Sequence, residues 1–359
     1  MAQRLPEPLK IPPTWDDVTA EWLDALLAPR FPGARVADVE MLTITDGTNR
    51  RARVGATYSA GTGPAVVFLK AEGVHREIHA RNGNLFNEPR LAASGVPLPV
   101  DHPAPYGVLI DEEGLDWLVA MEDVTQRGAD PRDSTRPMTV EQATNGVLGL
   151  ARLHRDYWGF THESHPALDW VQTWAPTEGF QSGLRARVPT GLERAGADIP
   201  PEVARLDGDE LLDLWARYVS LLAADPVTLL HADAHIGNTY VLPDDDVGFL
   251  DWQVARRGNW SQDVGYFFQG AVVEEDRRAA ERDVVDAYVA ELGCGLDPTD
   301  AWTWYRASAV YGLVIWLSTL GAEGFQTGEV SLALTRRYAE ATVELEALDA
   351  LAELESRVP

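Results

Sequence analysis

The sequence holds one cysteine, Cys294, among 359 residues. That excludes intrachain disulfides, cysteine-based zinc fingers and iron–sulfur clusters, and the lone thiol reads as a small apolar filler. Long apolar runs are missing too. The greasiest, from Ala309 to Leu320, is too short to cross a bilayer and carries Tyr311 and Trp316. The first thirteen residues, MAQRLPEPLKIPP, lack the apolar core of a secretory signal, so a cytoplasmic protein is expected. Positive charge is scarce: 30 basic against 56 acidic residues give a net charge of −26. Such a field repels phosphate backbones and anionic lipid, so neither a nucleic-acid nor a membrane partner is expected. The acidity reads as a solubility or high-salt adaptation before it reads as a lure for a cationic substrate. Lysine is nearly absent as well. Lys10 and Lys70 are the only two, and Lys70 closes the apolar run Val66-Val67-Phe68-Leu69. A chain that otherwise uses arginine keeps a lysine where burial makes it costly.

What is present divides the chain at about residue 122. Thr14 is placed to cap a first helix with Trp15, Val18, Trp22, Leu23, Leu26 and Leu27 at helical spacing. Alternating stretches at 35–44, 51–59 and 65–70 read as antiparallel hairpins, joined by Asp46-Gly47-Thr48-Asn49 and by Gly61-Thr62-Gly63-Pro64. A helix is expected over 86–94, then strands over 106–111 and 117–121. Arg127 to Pro137 is a polar linker. Thr139 with Gln142 forms a capping box for a helix reaching about Tyr157. Helices resume near Gln262, Arg278, Ala301 and Ser331. The expected fold class is α+β: a small antiparallel β lobe at residues 1–122 and a larger helical lobe at 123–359.

The chemistry sits in a strand-and-loop island within the helical part. It reads His231-Ala232-Asp233-Ala234-His235-Ile236-Gly237-Asn238, then an apolar hairpin around Pro243-Asp244-Asp245-Asp246, then Leu250-Asp251-Trp252. Asp233, Asn238 and Asp251 place three oxygen-bearing side chains at the rims of that hairpin. Such donors suit Mg²⁺, which favours oxygen ligands and keeps waters and substrate phosphates. The order His-x-Asp-x-x-x-x-Asn matches a protein-kinase catalytic loop. Lys70, at the end of a third strand, is placed to grip phosphates. Glu88, 18 residues on, is its candidate ion-pair partner, with Glu77 as the competitor. A second reading uses the alternation of His231, Asp233 and His235 as the metal site of a hydrolase. A third is a nucleotide-binding pseudokinase without transfer.

The chain resembles the aminoglycoside phosphotransferase/choline kinase superfamily, a small-molecule branch of the protein-kinase fold. The resemblance rests on the catalytic stretch, on Leu250-Asp251-Trp252-Gln253, on Asp263-Val264-Gly265-Tyr266-Phe267, on Met121-Glu122-Asp123-Val124 and on Leu150-Ala151-Arg152-Leu153-His154. It covers about residues 14–330. Glu21-Trp22-Leu23 and Trp252-Gln253 point to the ecdysteroid-kinase-like branch. The resemblance implies a two-lobed, ATP- and Mg²⁺-dependent kinase acting on a hydroxyl of a small molecule. It implies Asp233 as base, Asn238 and Asp251 on Mg²⁺, Lys70 on phosphate with Glu88 fixing it, and Gly47, Thr48 and Asn49 over the phosphates. The same resemblance implies Met121, Glu122 and Asp123 as the connector beside adenine. His231, His235 and Asp263 are supporting residues, Asp263 through the loop amides. A monomer or homodimer is expected. Trp158, Trp170, Trp174, Trp302 and Trp304 form either an aromatic acceptor wall or helical core. One departure stands out. The family's glycine before the catalytic aspartate is Ala232 here, and a positive φ there would strain it.

Overall fold

The computed structural model describes residues 9–357, so most of the N-terminal stretch read for a leader lies outside the described residues. The chain divides into two compact units. One runs to Val96 and includes Pro103–Arg127; the other holds Pro97–His102 and the chain from Gly128. The fold class is α+β.

The first unit is built on alternation. Strands β1 (Arg35–Ile44), β2 (Arg50–Ala60), β3 (Val66–Ala71), β4 (Pro105–Asp111) and β5 (Asp116–Glu122) form one sheet in the order β1-β2-β3-β5-β4. The neighbours within it pair antiparallel. Period two sends Val67, Leu69, Ala71, Leu118 and Ala120 to one face. There they pack with Leu23, Leu26 and Leu27 of helix α1 (Ala20–Leu27). Trp117 and Val119 face the other way, against Leu85, Phe86 and Ala92. Lys70 pairs with Val119, so it shares that second face. Two short helices lie between β3 and β4: α2 (Arg76–Arg81) and α3 (Asn87–Ser94), the latter ended by Gly95 in the left-handed region. The expected first helix is two pieces. Thr14 caps only a single turn at Trp15–Asp17, and Thr19 caps α1. Each threonine can accept an orphan amide, and the extended Val18 separates them.

The second unit is mostly helical. Strand β6 (Asp130–Pro131) precedes α4 (Val140–Asp156), which starts from the Thr139–Gln142 capping box. Then come α5 (Glu178–Ala195), α6 (Pro201–Ala204) and α7 (Gly208–Leu221). The island follows: β7 (Thr228–Leu230), β8 (Thr239–Val241), β9 (Val247–Phe249) and β10 (Arg256–Gly258). β8 and β9 are the two arms of the buried hairpin, and their turn at 243–245 is exposed. β10 returns to pair with β7. After it come α8 (Ser261–Ala271), α9 (Glu274–Leu292), α10 (Pro298–Ala307), α11 (Ala309–Leu320), α12 (Gly328–Glu344) and α13 (Ala347–Arg357). The apolar run at 309–320 is a core helix, α11. It approaches α5 so closely that a Cβ on Gly191 would sit 1.9 Å from the Leu317 carbonyl oxygen. Among the described residues no helix is long and apolar enough to cross a membrane.

Candidate active site

In the first unit, the strand alternation that buries Leu69 turns Lys70 toward α3. Its Nζ lies 2.6 Å from Glu88 Oε2, with about a twentieth of either residue exposed. Glu77 is exposed and pairs with Arg81. Two residues past Lys70, the fully buried Glu72 carboxylate accepts from Trp117 Nε1 at 2.9 Å, from the Gly73 N–H at 3.0 Å and lies 3.0 Å from His79 Nδ1. The sequence reading missed Glu72; a carboxylate so close to a strand-end lysine was its only signal. The β1–β2 loop is stapled by Asp46, whose carboxylate accepts from Trp15 Nε1 and from the Arg51 N–H. Gly47 and Thr48 are exposed at its tip, while Asn49 is buried and its Nδ2 has no partner. The loop lies against Gly73, where a Cβ would meet the Thr48 carbonyl oxygen at 2.3 Å. At the end of β5, Met121 is half-buried, and Glu122 donates its N–H to Ala104 O. Asp123 is held by Arg53 at 2.6 Å and accepts from the Thr125 hydroxyl.

In the second unit, the loop after β7 is pinned from several sides. Asp263, in the first turn of α8, accepts from the His231 and Ala232 N–H groups, each at 2.7 Å. His154, at the end of α4, lies 3.3 Å from the same carboxylate and 2.8 Å from the Tyr288 hydroxyl. His231 Nδ1 accepts from the Asp233 N–H at 3.2 Å, and its Nε2 donates to Leu250 O at 2.7 Å. Both ring nitrogens are thereby engaged as a neutral imidazole. Asn238 Nδ2 donates to Asp233 O at 2.9 Å and to Asp233 Oδ2 at 3.1 Å.

The charge here is unbalanced. Desolvation and the nearby Asp251 carboxylate push Asp233 up to about 8, against a lowering by the Arg256 guanidinium. With 38% of its side chain exposed, Asp233 still meets water, which screens part of that push. His235 lies 3.9 Å from Asp233 Oδ2 and would compensate it if charged. Burial instead pulls the imidazole down to about 4.

Three non-glycine residues in this island adopt the left-handed region: Ala232 at φ +68°, Asp251 at φ +62° and, in the exposed hairpin turn, Asp245 at φ +64°. An alanine there costs about 1–2 kcal/mol. The strain anticipated for an alanine in the family's glycine position is present.

The donor set fits a hard divalent cation. Asn238 spends its amide nitrogen on Asp233, which leaves its carbonyl oxygen as the available donor, and Asp251 adds a carboxylate next to an already crowded negative charge. The hydrolase arrangement is not formed. His231 has both nitrogens engaged, and among the described residues no group of three His, Cys, Asp or Glu side chains is arranged to hold a metal.

Residues 55–307 match the model of the phosphotransferase enzyme family. The chain belongs to that family. A spectinomycin phosphotransferase, solved with ADP and spectinomycin, is 15% identical with a TM-score of 0.53, covering 92% of this chain and 99% of that one. A choline kinase from Cryptosporidium parvum is 12% identical with a TM-score of 0.47, covering 87% and 91%. No protein of curated function matches significantly. The first of these likenesses shows the fold, the kinase-like one expected from the motifs. This phosphotransferase also carries polar residues that the sequence reading passed over. Arg256 on β10 stacks its guanidinium 4.0 Å over Trp174, and Gln262 precedes Asp263 on α8. Trp174 itself joins Phe180, Trp215 and Tyr311 in one aromatic cluster, whereas Trp302 stacks on Tyr305 within α10.

Proposed function

We propose that this phosphotransferase moves the γ-phosphate of ATP to a hydroxyl of a small molecule, with Asp233 as the base. In the reaction the acceptor oxygen bonds to the γ-phosphorus, the bond from that phosphorus to ADP breaks, and the hydroxyl proton passes to an Asp233 oxygen. The observation that carries the reading is the Asp233–Asn238 contact beside the Asp251 charge. It joins a carboxylate held for proton transfer to two oxygen donors suited to Mg²⁺. Asn238 and Asp251 would hold the ion. Bound Mg²⁺ supplies neutralisation of the charge that develops on the transferred phosphoryl group. Positive charge next to Asp251 also favours the ionised, basic form of Asp233.

In the first unit, residues 1–122 as the sequence divides them, Lys70 grips nucleotide phosphate and Glu88 holds its ammonium in place. Gly47, Thr48 and the unpartnered Nδ2 of Asn49 cover the phosphates. The main chain at Met121-Glu122-Asp123 meets adenine. In residues 123–359, His231 and Asp263 shape the loop under Asp233, and His235 stands neutral beside it. The test is ADP formation with MgATP across a panel of hydroxyl acceptors: an aminoglycoside, choline, a sugar and a steroid. Acceptor-dependent ADP release that falls about 10²–10⁴-fold in Asp233→Asn supports the assignment. Equal release from the variant refutes Asp233 as the base.

A further inference from the structure

The strained alanine raises a question the motif residues do not answer. Asp263 holds the N–H of Ala232, but the geometry that aims Asp233 depends on the next peptide, Ala232–Asp233. A left-handed alanine relieves its strain by turning about its own N–Cα bond, and with its N–H held by Asp263 that turn swings its carbonyl and the peptide beyond it. Three side chains oppose the rotation. His231 Nδ1 accepts the Asp233 N–H at 3.2 Å. On the opposite edge the Ala232 carbonyl accepts from Gln262 Nε2 at 3.1 Å and from Arg256 Nη2 at 3.4 Å. Gln262 is fully buried and Arg256 nearly so. Neither is an economical tenant of that space: Gln262 Oε1 and Arg256 Nε and Nη1 have no hydrogen-bond partner. Burial of a cation and an amide with donors and acceptors unmet is costly. Both adjoin Tyr311, and together they hold the Ala232 carbonyl.

We propose that Gln262 and Arg256 are positioning residues that grip the Ala232 carbonyl and so fix the left-handed turn that aims Asp233. The proposal rests on the reading of Asp233 as the base. It makes a particular demand: the grip matters because residue 232 is alanine. Glycine adopts the left-handed region freely, so a glycine-bearing loop keeps its shape with less restraint. Gln262 and Ala232 are therefore coupled in a way that ordinary core packing is not.

The test is a double-mutant cycle on the full chain, read as hydrolysis of MgATP to water and as melting temperature. Gln262→Met, which keeps size and removes both polar groups, lowers kcat about tenfold with KM for ATP within about twofold, the loss expected for one buried hydrogen bond. In the Ala232→Gly background the same substitution costs less than about threefold. Arg256→Lys, which retains a donor, loses less than Arg256→Met. Equal losses in both backgrounds overturn the proposal, as does a rise in KM without a fall in kcat. The melting temperatures separate this from the reading beneath it. If MgATP is turned over neither with water nor with any hydroxyl acceptor of the panel, the reading of Asp233 fails. The grip still stands if Gln262→Met lowers the melting temperature more with alanine at 232 than with glycine, and it falls if the two decreases are equal.

Discussion

The two units carry buried charge in opposite conditions. Lys70 and Glu88 neutralise each other at 2.6 Å inside the first. In the second, Asp233, Asp251 and Asp263 crowd together while Arg256 is the cation acting on Asp233, and His235 is held neutral. The first set is complete as folded. The second leaves room for positive charge from outside, which is what the Mg²⁺-loaded nucleotide of the proposed reaction would bring. Under the proposed reaction, the fold itself organises the phosphate-gripping half of the chemistry, and the proton-transfer half is organised for a ligand.

The largest effect is expected from Asp251→Asn. It removes a donor for the ion, and turnover of MgATP falls by about 10³-fold, equivalent to several kcal/mol of transition-state stabilisation; steady-state kinetics at saturating ATP checks it. Next is the balanced pair. Lys70→Met removes the buried cation at 2.6 Å from Glu88 and lowers unfolding free energy by about 3 kcal/mol in urea titrations. Replacing both, with Glu88→Leu added, restores most of that stability while turnover stays lost. A smaller effect tests why His235 gives no compensation. Its folded pKa, about 4, lies below the ordinary 6.5. The folded state thus takes up fewer protons, and the stability it contributes is full above pH 6.5 and drains as pH falls toward 4. Between pH 7 and 5 the protein loses about 2 kcal/mol that His235→Gln does not lose. Smallest is the metal-free stability of Asp251→Asn. Relieving the repulsion on Asp233 raises its melting temperature by about 2–4 °C, the shift for about 1 kcal/mol.

The same contrast explains what could be read in advance. The strand carrying Lys70 was legible because period two and an apolar run declare themselves within six residues. Glu88 and Glu77 were not separable by spacing alone; the pairing followed from which face of the sheet α3 covers. The loop proposed as catalytic was visible as a motif, and the strain at Ala232 was legible as a missing glycine. The grip on its carbonyl was not. Gln262 and Arg256 lie 30 and 24 residues from Ala232, and nothing local in either segment marks a side chain that will reach a distant main-chain oxygen. The split of the first helix was hidden for another reason. Thr14 and Thr19 are equally good caps, and the extended Val18 between them decides against one continuous helix.

In the proposed reaction the unbalanced site awaits a cation delivered with nucleotide. The most direct test is the melting temperature with ATP, with Mg²⁺, with both, and with both in Asp251→Asn. At about 100 times Kd a ligand adds roughly 2.7 kcal/mol, or several degrees here. A rise that needs ATP and Mg²⁺ together and vanishes in Asp251→Asn is the predicted result. No rise at millimolar MgATP, or an equal rise in the variant, contradicts the claim.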